Sequence, residues 1–222
     1  MTRIAQGPMP KGSQHWLQIL ANRRSHVFER VIQSSAVRDI RWLSPLQADD
    51  FAEYRDQAFL DLVGVKLERL PLASFWPARG PVWDGLAVTS SGAVLMVEAK
   101  ANLPELESPP SQARPRSATF IRASLDRAKS SFAAPAEADW MKDYYQYANR
   151  LAWLHLLRAE NGIAAYLVFL YFAGASEVGG PASASEWQPA ISRAHQSLKL
   201  GNGPLSSYVL DVFVDVAELA DA

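Results

Sequence analysis

Val94-Leu95-Met96-Val97 would be apolar on both faces of any strand it formed, and this constrains the fold more than any other stretch of the chain. A strand in a sheet with one wet face alternates apolar and polar residues. A strand covered by helices on both faces need not alternate. The run therefore predicts that Ala93–Lys100 is a central strand sandwiched between helices. Val82–Thr89 precedes it as a second strand-like segment, and Ser90-Ser91-Gly92 between them reads as a three-residue hairpin loop with glycine where φ must be positive.

The rest of the chain supplies the layers. Ser13 is placed to cap a helix carrying Trp16, Leu20, Val27 and Val31 at helical spacing. A second helix is expected from Ala48–Asp50 through Phe51, Tyr54, Phe59 and Leu62, with Gly64 as its stop. Leu67–Trp76 reads as a strand interrupted by Pro71, and Ile163–Phe172 as a buried strand. Helices are predicted over Ala118–Phe132 and from about Asp139 to Glu160, where Asn161-Gly162 ends the second. The Pro-rich stretch Asn102–Ser117 reads as a loop leaving the Lys100 strand. A short helix and a last strand, Tyr208–Val216, complete the order. Strands alternating with helices imply an α/β fold. The expected architecture is a mixed central sheet with helices on both faces: an αβββαβ core at about residues 50–173, an N-terminal helix and a C-terminal helix-strand extension. All of it fits one domain, residues 1–222.

Charge and composition limit the function classes. Lys+Arg 22 against Asp+Glu 23 gives a net charge of −1, which argues against a uniformly basic nucleic-acid coat but allows a local one. The absence of cysteine removes disulfides and thiolate zinc sites. Met1–Gly12 has no apolar signal region, and the longest apolar run, Ile163–Phe172, is too short to span a bilayer. A cytoplasmic protein without membrane association is expected, and assembly as a homo-oligomer is compatible with the sequence.

The hairpin carries the chemistry. Centred on Ser91, it sets Asp84 and Glu98 equally far from the turn, as cross-strand neighbours roughly 5 Å apart at Cβ. Lys100, two residues beyond Glu98, shares its face. Two carboxylates on one face of a buried sheet repel unless a cation or a proton compensates. Hard oxygen ligands of this kind suit Mg²⁺ or Mn²⁺. Such an ion would grip a phosphate oxygen and activate a water, and Lys100 could orient or deprotonate that water.

Val82-Trp83-Asp84-Gly85, the hairpin, and Val97-Glu98-Ala99-Lys100 resemble the signature of the PD-(D/E)xK phosphodiesterase superfamily, which has a restriction-endonuclease-like fold. Restriction endonucleases, DNA-repair exonucleases and Holliday-junction resolvases belong to it. Its αβββαβ core is similar to the order expected from Phe51 to Phe172. The resemblance implies that Asp84, Glu98 and the Ala99 carbonyl bind the metal and that Lys100 is catalytic. Trp83 stands where the signature has proline, with Pro81 close by. In the resolvase-like branch a helix glutamate adds a third acidic group, a part implied here for Glu53. Some exonuclease branches place a glutamine on the helix after the Glu-x-Lys strand, a part implied for Gln146. Arg150 is one turn further on and could meet a substrate phosphate.

The expected function is divalent-metal-dependent hydrolysis of phosphodiester bonds in nucleic acid, DNA before RNA. The alternative is a non-catalytic module that keeps a nuclease-like fold within a larger assembly. Arg114 and Arg116, in the Pro-rich stretch, are further candidates for nucleic-acid contact. Arg122, Asp126 and Lys129 read as an exposed helix face. His15, His26, His155 and His195 show no ligand spacing, and Trp140 and Trp153 read as core.

Overall fold

The computed structural model describes residues 2–32 and 37–220. Strand β1 (Thr2–Ile4) leads to helices α1 (Gly12–Arg23) and α2 (Ser25–Val31), then strands β2 (Arg41–Ser44) and β3 (Glu53–Arg55) and the short helix α3 (Asp56–Leu62). The hairpin follows as β4 (Gly85–Val88) and β5 (Val94–Lys100). Helices α4 (Leu103–Leu106), α5 (Pro115–Lys129) and α6 (Tyr145–His155) precede strand β6 (Ala165–Ala173). Helix α7 (Ala184–Ser197) and strand β7 (Val209–Asp215) close the order. The protein is α/β, with seven α-helices among the described residues. They accompany a five-stranded mixed sheet ordered β2-β4-β5-β6-β7 and a two-stranded sheet of β1 and β3.

Strand β5 sits at the centre, antiparallel to β4 and parallel to β6, and every one of its residues is buried. Its two faces feed two cores. Val94 and Met96 join Leu125, Leu151, Trp153 and Trp187 on one side, while Leu95, Val97 and Ala99 join Leu17, Leu20 and Phe28 on the other. Helices thus cover both faces, as the unbroken apolar run requires. Hairpin pairing is Val88 with Val94 through Gly85 with Val97, and Gly92 takes φ +82 in the turn.

Several boundaries differ from expectation. Ser13 is not a cap: α1 begins at Gly12, and the residue before it, Lys11, makes no side-chain capping bond. Leu67–Trp76 is not a strand. Leu67 and Leu70 pack on the core from irregular chain and Leu72 from a 3-10 turn (Leu72–Ser74), and the third antiparallel strand is β2 instead. The sheet therefore draws on residues on both sides of the 50–173 span, from β2 and β7. The helix expected to contain Glu53 starts only at Asp56, because residues 53–55 pair with β1. Helix α6 starts at Tyr145, six residues later than expected, after Tyr144 takes a left-handed conformation. A π-helical turn, Leu156–Glu160, continues it towards Gly162. No helix among the described residues is long and apolar enough to cross a membrane.

Candidate active site

Strand pairing brings the carboxylates together. Continuing the β4–β5 register one step past Gly85 and Val97 sets Asp84 across from Glu98. The backbone ladder ends there, and the Asp84 carboxylate takes over: its Oδ2 accepts the Ala99 N–H at 2.8 Å. Asp84 is thereby fixed against β5, with a half-buried side chain on the cleft.

Glu98 is 1% exposed and both its oxygens are engaged. Lys100 Nζ donates to Oε1 at 2.5 Å and Arg150 Nε to Oε2 at 2.7 Å. The Lys100 ammonium also donates to Gln146 Oε1 at 3.1 Å. Gln146 and Arg150, one turn apart on α6, therefore both reach the site from the helix side. Arg150 does so differently from expectation. It is 3% exposed, and Nη2 donates to the Val82 carbonyl at 2.8 Å while the guanidinium lies 4.8 Å over the Trp83 ring. It grips both strands that carry the carboxylates and is no lining residue of the cleft, so a bound phosphate would not meet it there.

Glu53 reaches the same interior from a strand, not a helix. An isolated antiparallel bridge joins Tyr54 to Trp83, with the Trp83 N–H donating to the Tyr54 carbonyl at 3.0 Å. One residue on, that register places Glu53 beside Asp84. Its carboxylate accepts from Gln14 Nε2 at 2.7 Å and from Gln6 Nε2 at 2.8 Å. Among the described residues no three His, Cys, Asp or Glu side chains gather closely enough to hold one ion. Glu53 thus lies next to the pair without joining it as a third direct ligand.

Electrostatics separates the carboxyls. Burial, then the charge of Glu98, raises Asp84 well above the usual aspartate range, and Lys100 and Arg150 only partly offset this. Burial would raise Glu98 too, but Arg150 and then Lys100 outweigh it and hold the group below its ordinary value. Burial lifts Glu53 to about 7 despite the bonds from Gln14 and Gln6, with Glu98 adding to the rise. The side chains thus settle as one ionised carboxylate between two cations, beside two carboxyls that favour their protons.

The donor set fits a hard divalent cation. Asp84, Glu98 and the Ala99 carbonyl offer oxygen only, in the small number that Mg²⁺ or Mn²⁺ takes while keeping water. The open end is a cleft of about 610 Å³ lined by Asp84, Glu98 and Lys100 on the sheet, Gln146 on α6, and Gly12 and Gln14 at the start of α1.

Gln6 and Gln14 were not found from sequence. Both act through Glu53, and nothing local marks a pairing of the chain start with residues 53–55. Lys129, expected on an exposed face, is buried, its Nζ bonded to Asp126 Oδ1 and the Ala136 carbonyl. Arg122 is exposed and paired with Asp139. His155 bonds Ser131 and Glu160, His195 bonds the Tyr147 hydroxyl and His15 bonds the Met9 carbonyl. Trp140 and Trp153 are core. No family model, curated protein or solved structure matches the chain in the comparisons with known proteins.

Proposed function

We propose that the chain is a divalent-metal-dependent nuclease of the PD-(D/E)xK kind, hydrolysing phosphodiester bonds in nucleic acid, with DNA as the first substrate to test. The observation that carries this reading is Asp84, Glu98 and Lys100 on one face of a buried hairpin, at the mouth of a cleft. Such a group is costly to bury without a function that needs it.

Asp84, Glu98 and the Ala99 carbonyl would hold Mg²⁺ or Mn²⁺, which supplies Lewis acidity towards a phosphoryl oxygen and lowers the pKa of water. Lys100 presents an ammonium to the cleft beside Glu98, where it could orient a water and stabilise negative charge on a bound phosphoryl group. Gln146 steers that ammonium through its 3.1 Å bond. Arg150 fixes the rotamer of Glu98 from behind. Glu53, kept by Gln14 and Gln6, stands next to Asp84 as a third carboxyl.

A second reading, a non-catalytic module, draws on one observation. Lys100 and Arg150 engage both oxygens of Glu98. Isothermal titration of the purified protein with Mn²⁺ separates the two. The nuclease reading expects one binding event that Asp84→Asn abolishes, and absence of binding would favour the module.

A further inference from the structure

A second groove lies against the other stripe of α6. Gln146 and Arg150 face the carboxylates; Tyr145 and Asn149, each one position earlier and likewise a turn apart, line a groove of about 440 Å³. The segment Trp76–Pro81, which leads directly into Val82 and Asp84, lines it too. Ser111–Arg114, ahead of α5, and Ser117 and Ile121 on α5 complete the lining.

Its chemistry contrasts with that of the cleft. The cleft lining includes Asp84, Glu98, Glu105 and Glu107. The groove lining includes Arg79 and Arg114 and no carboxylate. Both arginines are exposed, and among the described residues neither guanidinium has an ion-pair partner. Tyr145 supplies a half-exposed ring, and Gln112 and Asn149 supply carboxamides.

The wall that presents Arg79 is built and held. Arg79 takes φ +68, a left-handed conformation unusual for a residue with a side chain. The Asp56 carboxylate pins it by accepting the Arg79 N–H at 3.1 Å and the Gly80 N–H at 2.8 Å. Gly80 is required by close approach, since a Cβ there would stand 2.8 Å from Trp153 Cζ2 and 2.9 Å from Asp56 Oδ1. The Asp56 carboxylate and the packing against buried Trp153 hold this backbone, and the segment presents the exposed Arg79 side chain to the groove.

We propose that this groove binds the phosphodiester backbone of a nucleic-acid single strand next to the cleavage site, Arg79 and Arg114 contacting phosphates and Tyr145 offering a face to a base. A strand is favoured over a small anion because the two cations come from separate segments, Arg79 from Trp76–Pro81 and Arg114 from Ser111–Arg114, on a surface that also holds an aromatic ring and carboxamides, the mixture that single strands use. The inference rests on the nuclease reading only for the phrase "next to the cleavage site"; binding itself is independent of catalysis.

The test is fluorescence anisotropy of the full chain with a fluorescein-labelled oligothymidylate in EDTA, where cleavage plays no part, and with the equivalent ribo-oligomer as a second arm. Arg79→Glu/Arg114→Glu should weaken binding at least tenfold, and Arg114→Glu alone should weaken it measurably, which guards against misfolding from the change at Arg79. Arg79→Gln/Arg114→Gln should reduce the slope of log K against log salt by about 1.4, roughly 0.7 per single-strand phosphate contact. Arg122→Glu, outside the groove, should bind as wild type does. Wild-type affinity in the double variants, an equal loss in Arg122→Glu, or full competition by inorganic phosphate at matched phosphate concentration would each overturn the proposal. A strand bound through the groove but never cut with any ion would leave the groove standing and remove the nuclease reading. A strand cut normally by the double variants would do the reverse.

Discussion

Glu53 and Asp84 are held in an environment that favours their neutral forms, and this has consequences for both stability and metal binding. Glu53 is 5% exposed and raised from 4.5 to about 7. A carboxyl raised in the fold keeps its proton where the unfolded chain has lost it, so its contribution is complete below about 4.5 and falls away as pH rises to about 7. The displacement corresponds to roughly 3 kcal/mol. In EDTA, Glu53→Gln is expected to be more stable than wild type at pH 8 by up to that amount and equal to it near pH 4. Urea titrations at the two pH values check this, and a variant no more stable at pH 8 would refute it. Asp84 shifts in the same direction, so on the proposed reading a bound metal would displace its proton. The apparent Mn²⁺ affinity should rise with pH, and the binding heat should depend on the ionisation enthalpy of the buffer; heats identical across buffers would contradict the assignment. The positions of Asp84, Glu98 and Lys100 were legible in sequence because hairpin symmetry and the two-residue period of a strand are local rules. The role of Arg150 was not. Its distance along α6 from Gln146 is legible, but whether it turns to solvent or clamps Glu98 depends on Trp83 and Val82, far away in the chain.

Helix α6 and the hairpin act as one unit through Arg150, which ties Glu98 on β5 to the Val82 carbonyl ahead of β4. Removing one member of a buried ion pair leaves the other charge uncompensated, typically at a cost of about 3–5 kcal/mol. Arg150→Ala should therefore lose stability of that order, with the midpoint of urea unfolding as the readout. Arg150→Lys should recover little, because a single ammonium cannot serve Glu98 and Val82 in the fork that Nε and Nη2 provide. Full recovery by lysine would show that charge alone matters. The elements recognised from sequence share strong local signals, such as the apolar runs of β5 and β6 and the stop at Asn161-Gly162. The missed ones do not. β2 is four residues long with Arg41 and Ser44 at its ends, and β3 pairs with distant chain, β1 some fifty residues earlier and Trp83. Leu67–Trp76 carries the apolar content of a strand, but Pro71 breaks it and its leucines pack without a ladder.

At the scale of the molecule, a central strand buried on both faces brings a metal-type oxygen set, an ammonium and a cleft to one end of a mixed sheet, with a basic groove alongside. The order α1–α2, β2, β4, β5, α5–α6, β6 gives a mixed sheet with helices on both faces, as expected from sequence, though it is reached with a different first helix and first strand from those expected. The central claim is that Asp84, Glu98 and Lys100 form one metal-dependent hydrolytic centre. The direct measurement is cleavage of linear, circular, single-stranded and branched DNA, and of RNA, by wild type and by Asp84→Ala, Glu98→Ala and Lys100→Ala, in Mg²⁺ or Mn²⁺ and in EDTA. The account predicts cutting of at least one substrate with metal, none in EDTA, and a loss of at least a hundredfold in each variant while the circular dichroism spectrum stays that of a folded protein. Cleavage undiminished in EDTA, or a folded Lys100→Ala protein that cuts as fast as wild type, would contradict it.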